Sequence, residues 1–552
     1  MRKKVCISIL SFLYSIFCIV GHSFYKDNSF TYIESHKLLS LISLIVLFSL
    51  FYTAIYYLFK FIETKHTCKK KFSKIKKTKL YRLFDEHPFL FSLIVMIILW
   101  LPFIIAYYPA ILSPDPSFQI KQFFGIPNKY STYNIMIDPN VTITGHHPVI
   151  HTLLLGGCVK IGTLINNVNL GLFLYSIIQI TVLASVLAYT IKFLKNLGIS
   201  NKYLFLILLV YSFVPVFPIY SMSAVKDVIF GSLVILYIIA LYKIYKSDDL
   251  KTKSIIQFLC LLVLIVLFRN NGIHTILLSL PFLLLLKKSK KIRLTILCIV
   301  IFIFGFNYSY NSVILPYLKI TPGSVREKLS VPFQQTARYV KYHSDEVTNE
   351  EKQAIDKILG YDTLADRYNP ELADPVKNEY NKYATDEDLK KYFSVWFDEF
   401  KKHPKTYIEA TINNTYGYFY PLKTSWYYHS NYDTRIVKDG FDYHFNDLKN
   451  TRSVLNAYGQ AFPYIPIVGL LINIAFNIWI LLFMFIYFIY KKKYSSIVYL
   501  LPSLVLVLVC FASPANTYFR YALPFVFALP LNIGLFMKEK NWNNIKKMIL
   551  LK

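Results

Sequence analysis

Apolar runs of about 17–25 residues recur along this 552-residue chain, and that length crosses the hydrocarbon of a bilayer as helix. Hydrocarbon offers no water to backbone N–H and C=O groups, so a spanning segment must be a helix or part of a closed barrel. The runs are uninterrupted rather than alternating, which selects helices. Overall, 55% of the residues are hydrophobic. The expectation is an all-α polytopic membrane protein of about 12 transmembrane helices.

Those spans are expected near Val5–His22, Leu38–Ile62, Pro88–Pro109, Val168–Phe193, Tyr203–Tyr220, Asp227–Tyr245, Ser254–Gly272, Ile273–Leu286, Leu294–Pro316, Ile465–Tyr490, Ser495–Phe511 and Phe519–Met537. The first run follows Arg2-Lys3-Lys4 and has no small-residue cleavage site after it, so it reads as an anchor with its N-terminus inside. The helix opening at His147-Pro148 is interrupted by Gly156-Gly157 and Lys160 and reads as interfacial or re-entrant. This division gives residues 1–87 as two spans and a lysine-rich loop, and 88–318 as a membrane core with its first outer loop at 110–147. A polar segment at 319–463 lies between the ninth and tenth spans, and 464–552 holds the last three spans and a tail.

The net charge of +29 raises the question of nucleic acid. Its distribution excludes that partner. From Lys319 to Pro463 there are 20 Lys+Arg and 21 Asp+Glu, so the rest of the chain carries +30. That excess sits in short connections such as Lys65–Lys79 and Lys491-Lys492-Lys493, as the positive-inside rule produces. Both termini are therefore expected in the cytoplasm of a bacterial plasma membrane, and the 319–463 segment outside. None of the seven cysteines lies in that segment, so no disulfide framework is available there. Within it, Thr348-x-x-Glu351 reads as a capping box, and Thr385 can cap the helix that follows it. Leu389, Phe393, Trp396, Phe397 and Phe400 recur at helical spacing as one apolar face.

Unusual polar residues gather at the expected outer face. Asp115 sits in SPDP, and His146-His147 precede a helix. Lys226-Asp227 opens a span, Arg269-Asn270 ends one, and Arg520-Tyr521 opens the last. Gln334, Gln335 and Arg338 fall early in the polar segment. Outer-face cations run against the positive-inside rule. Together they would form a cationic pocket beside a carboxylate. A phosphate leaving group needs positive charge where negative charge develops. An attacking hydroxyl needs a base, which a carboxylate can supply. The plain alternatives are an Asx-turn or cap role for Asp115 and snorkelling for the span-end cations. His147 and His151, four apart, share a helix face and with Asp115 would make a weak metal set; no metal or other cofactor is assigned.

The run Pro109–Asp115 (P-x-x-x-SPD), His147-Pro148, Lys226-Asp227, Arg269–Gly272 and Phe519-Arg520-Tyr521 resembles, in this order, the GT-C glycosyltransferases that use polyprenyl-phosphate sugars. It is most similar to a bacterial multi-spanning subfamily among them, over about residues 107–521. The resemblance implies a GT-C-like membrane fold and transfer, with inversion, of a sugar from a polyprenyl-phosphate donor. The acceptor would be a cell-envelope glycan, lipid or protein, reached within membrane lipid. It implies Asp115 as general base, with Lys226, Arg269 and Arg520 holding phosphate. His146, His147, Asn270, Gln334, Gln335, Arg338 and Tyr521 would position substrates. Many members carry a second acid beside the first; here Pro116 follows Asp115, and the next loop acid is Asp138. Two rival readings are a cell-surface polysaccharide polymerase or ligase, and a lipid or solute transporter or flippase.

Overall fold

A computed structural model describes residues 1–64, 79–423, 428, 430–513 and 515–549. The lysine run from Lys65 to Lys77 lies outside the described residues. The described chain is helical, with only isolated β-bridges between extended residues. Among the described residues, seven helices are long and apolar enough to cross a membrane: Arg2–Asp27, Lys37–Glu63, Pro88–Ala106, Val168–Asn196, Lys226–Lys246, Lys290–Tyr317 and Phe519–Glu539. An eighth span results if Asn201–Phe213 and Val216–Met222, bent by 48°, count as one. Four further segments expected to cross appear as shorter apolar helices: Thr252–Phe268, Gly272–Leu285, Ile474–Tyr490 and Leu501–Phe511.

Burial grades these helices from centre to rim. The apolar window of Phe519–Glu539 is 83% buried and that of Lys226–Lys246 is 78% buried, so these two form the axis of the bundle. Lys37–Glu63 is more apolar still, yet only 6% of its window is buried. An apolar surface of that extent is unfavourable in water and suits hydrocarbon. The chain is therefore a multi-pass membrane protein by its surface as well as its composition.

Val149–Leu164 lies against Val168–Asn196, with only the turn at 165–167 between them. Their axes approach closely because glycine meets glycine: a Cβ on Gly162 would fall 2.8 Å from the Gly171 backbone. This is the small-residue packing that lets apolar helices touch.

The polar segment builds its own apolar cluster. Phe333, Ala337, Val340, Ile355, Ile358, Leu359 and Tyr392 meet there, from helices Ser330–His343, Asn349–Leu359 and Asp386–Lys402. The expected capping box forms on Thr348/Glu351, and Thr385, expected as a cap, closes a second box with Asp388. The expected aromatic face is narrower than its spacing implied. Leu389, Phe393 and Trp396 pack inward, but Phe397 is 52% exposed. It lies about 80° around the helix from Leu389, at the edge of the stripe. The segment is tied to the end of the first helix by Asn413, which donates to the Asn28 carbonyl at 2.7 Å, and to the short helix Thr31–Ser35 by Lys405–Glu34 at 2.6 Å.

Glu399 is fully buried in this segment and accepts a 2.9 Å bond from the Tyr407 hydroxyl. Burial pushes its carboxyl up from 4.5 to about 8, against the smaller opposing pull of that hydroxyl. The folded chain thus keeps a proton in this window that the unfolded chain has lost. Its stability must fall as pH rises from 4.5 through 8. Glu399→Gln should raise the melting temperature of detergent-solubilised protein at pH 9, with a gain that shrinks toward pH 5. A gain that does not change with pH would refute the assignment.

Candidate active site

The site begins with a crossing of two extended segments. After Pro88–Ala106 the chain runs through Ile111, whose N–H donates to the Met222 carbonyl at 2.8 Å and whose carbonyl accepts from Ala224 N–H at 3.0 Å. Gln179, fully buried in Val168–Asn196, secures this crossing. Its Nε2 donates to the carbonyls of Tyr220, Ser221 and Ser223, at 3.1, 3.0 and 2.7 Å. One turn away, Ser176 Oγ donates to the Pro109 carbonyl at 2.9 Å. A polar face on an otherwise apolar helix thus meets carbonyls in the last turn of the helix Val216–Met222 and in the extended residues beside it. Asp115 lies four residues beyond Ile111, and Lys226 three residues beyond Ser223. The crossing therefore brings these two side chains together.

Asp115 stands in the first turn of the helix Pro114–Phe123, where the helix dipole favours a carboxylate. It is not used as a backbone cap. Its Oδ2 meets Arg520 Nη2 at 2.5 Å and Lys226 Nζ at 3.5 Å. Burial pushes its carboxyl up, but Arg520, Lys226 and His147 outweigh that and hold it well below the ordinary carboxylate range.

Asp227 supplies a second carboxylate, fully buried, beneath the first. Arg520 reaches it with Nε at 3.0 Å, and Arg269 pairs with its other oxygen. These contacts lack hydrogen-bond alignment, so the attraction is ionic rather than directional. Three cations and two carboxylates leave the cluster with one excess positive charge. Asp115 retains 23% side-chain exposure and Asp227 none, so only Asp115 can meet a substrate. Tyr521 underlies the two arginines, its ring 5.4 Å from Arg269 and 5.9 Å from Arg520.

The histidine pair borders this cluster. Lys226 Nζ lies 3.3 Å from His147 Nδ1. An ammonium can only donate, so Nδ1 accepts and Nε2 carries the proton. That Nε2 is buried and has no partner among the described residues, which makes it a donor held ready for a ligand. Burial, reinforced by Lys226, pushes the His147 imidazole well below its ordinary value and keeps it neutral. His146 is pushed down to about 4, chiefly by burial, so its 3.8 Å approach to Glu327 is not an ion pair at neutral pH. Its ring stacks on Tyr130 at 3.9 Å. Asn270 holds this loop in place, donating to the Gly145 carbonyl at 2.9 Å.

The structure thus gathers Asp115, His146, His147, Lys226, Arg269, Asn270, Arg520 and Tyr521. It does not gather Gln334, Gln335 and Arg338, whose described bonds stay within the polar segment. Gln334 donates to the Asn369 carbonyl, Gln335 to Thr411, and Arg338 pairs with Glu409 at 2.5 Å. Their polar character serves helix packing. Asp138 also stands apart, on Lys319 at 3.4 Å. The metal set is not formed either: both ring nitrogens of His151 are occupied, by Gln119 at 3.0 Å and Tyr175 at 2.7 Å. Sequence reasoning missed Asp227 as a site member, although it noted the Lys-Asp pair, and it missed Gln179 and Tyr130. For Gln179 the only available signal was an amide within an apolar run.

The chain belongs to a family of unknown function (DUF6020), whose model matches residues 2–548. No curated protein and no solved structure matches it.

The network ranks its own members. Asp227→Asn should leave two buried guanidiniums short of charge and cost about 3–5 kcal/mol. Asp115→Asn should cost less, because Arg520 keeps Asp227 and water reaches the site. Gln179→Leu should cost about 1–3 kcal/mol, because the Ser221 carbonyl loses its donor while those of Tyr220 and Ser223 keep the N–H groups of Ser223 and Val225. Thermal unfolding in detergent reads the order; an Asp115 variant less stable than the Asp227 variant would contradict it.

Proposed function

We propose that this chain is a GT-C-like glycosyltransferase that moves a sugar from a polyprenyl-phosphate donor to an acceptor outside the cytoplasm. What carries the reading is one partly exposed carboxylate, Asp115, meeting Arg520 and Lys226 at the ends of the two central helices. Such a site lies at the depth where a lipid phosphate stands. Its excess positive charge favours an anion, and arginine grips phosphate through paired donors.

In this proposal the donor phosphate takes over Arg520 and Lys226, with the His147 Nε2 proton as a further donor. Asp115 then loses its cations, and its proton affinity rises toward that of a usable base. The acceptor hydroxyl gives its proton to Asp115 while its oxygen attacks the anomeric carbon. The bond from that carbon to the phosphate oxygen breaks with inversion. Polyprenyl phosphate leaves, with its charge held by Arg520 and Lys226. Asp227 does not touch substrate; it fixes Arg269 and Arg520 at the right distance. The cavity beside Arg520 is only about 10 Å³, so a lining side chain such as Tyr518 or Tyr220 must shift to admit a sugar phosphate. A larger cavity of about 570 Å³, bordered by Tyr25, Glu371, Tyr416, Lys423 and Asn516, offers an acceptor a polar seat. It shares the loop before Phe519 with the smaller one. In this reading about twelve segments cross, both termini are cytoplasmic, and the 319–463 segment lies outside the cell membrane.

Loss of a general base costs about 10²–10⁴-fold in rate. Cells carrying only Asp115→Asn should therefore accumulate a lipid-linked monosaccharide and lose one sugar from an envelope glycan, read by mass spectrometry of lipid and glycan extracts. The variant must reach the membrane at the wild-type level. Accumulated diphosphate-linked oligosaccharide would indicate a polymerase or ligase instead. Unchanged lipid and glycan masses would overturn the assignment.

A further inference from the structure

A second constellation lies in the polar segment, away from the carboxylate cluster, and involves none of its residues. His343 ends the helix Ser330–His343, Glu346 sits in the single turn that follows, and His403 precedes the helix Pro404–Asn413. We propose that His343, Glu346 and His403 form a binding site for one divalent transition-metal ion of the zinc class.

The geometry carries this. One ligand atom from each residue lies within 4.8 Å of the other two. Each Glu346 oxygen faces a different imidazole, His403 Nε2 at 2.8 Å and His343 Nδ1 at 3.7 Å. A single ion pair would need only one of these histidines. The far nitrogen of His343, Nε2, lies 2.9 Å from the Thr406 hydroxyl. The Thr406 hydroxyl can accept the ring proton on Nε2 once a metal takes Nδ1, the outer-sphere arrangement found behind metal-bound imidazoles. The two rings stack at 3.7 Å over the buried Tyr339, whose hydroxyl has no partner among the described residues.

Two imidazoles and one carboxylate are borderline ligands that select Zn²⁺ over Mg²⁺ or Ca²⁺. Tetrahedral ligand atoms about 2.0–2.1 Å from zinc stand roughly 3.4 Å apart. Stacked rings hold their in-plane lone pairs nearly parallel, so the two imidazoles must tilt to aim both at one ion. The side chains are 22%, 46% and 30% exposed, which leaves them room to do so and leaves water to complete the shell. The ion would clip the end of one helix to the elbow before another and brace the segment.

The test uses untagged full-length protein in detergent, stripped with a chelator and titrated with Co²⁺ and with Zn²⁺. We expect one equivalent of metal per chain, cobalt absorption of tetrahedral intensity, and a higher melting temperature with Zn²⁺. His403→Ala and Glu346→Gln should each weaken binding about tenfold or more. Their circular dichroism should match the wild type. Wild-type protein that binds no stoichiometric metal overturns the site. So does metal binding that persists unchanged in the His343→Ala/His403→Ala variant. If that variant does not fold, the wild-type titration alone decides.

Discussion

Arg520 faces two carboxylates at once, Asp115 through Nη2 and Asp227 through Nε. Placing ionised groups at the end of an apolar bundle costs several kcal/mol each, and only close opposite charge offsets it. Asp227 has no water to share that burden, so it requires Arg269 as well as Arg520. The partners come from chain positions as far as 405 residues apart. None of these charges is tolerable until the others arrive. The helix ends around Lys226, Arg269 and Arg520 must therefore close together, and assembling the bundle assembles the site.

The first loop depends on the same economy of polar groups. Its chain leaves the helix Pro88–Ala106 and crosses beside another extended stretch, exposing carbonyls where apolar side chains surround them. Gln179 and Ser176 take up those carbonyls from the neighbouring helix. The distance from Asp115 to Lys226 follows from this crossing rather than from either residue. A rigid scaffold with one excess positive charge and an orphaned His147 donor is prepared for an anion before any ligand arrives.

Much of this was legible in the sequence, and for a definite reason. Apolar length and lysine placement report on the bilayer, which acts on every residue in the same way. Helices at Pro88, Val168, Lys226 and Phe519 appear where the runs put them. The capping box at Thr348 and the cap at Thr385 are local hydrogen-bond chemistry and form as read. The outer-face argument singled out Lys226, Arg269 and Arg520, which do converge on Asp115 and Asp227. Gln334, Gln335 and Arg338 looked equally unusual but satisfy neighbours within their own segment. Nothing in a linear pattern separates a polar residue awaiting a ligand from one that has found a carbonyl.

The sequence by itself determined the helical membrane class, the polar segment and the set of charges that cannot remain unpaired in an apolar setting. These follow from local period, length and solvation, each readable within a short window. Only the tertiary structure decided which charge answers which. It left Asp115 open to solvent and closed Asp227 off, occupied both nitrogens of His151, and spared one nitrogen of His147. Pairing between residues hundreds of positions apart is set by helix packing and by competition among partners, and a single chain of letters carries no record of who wins.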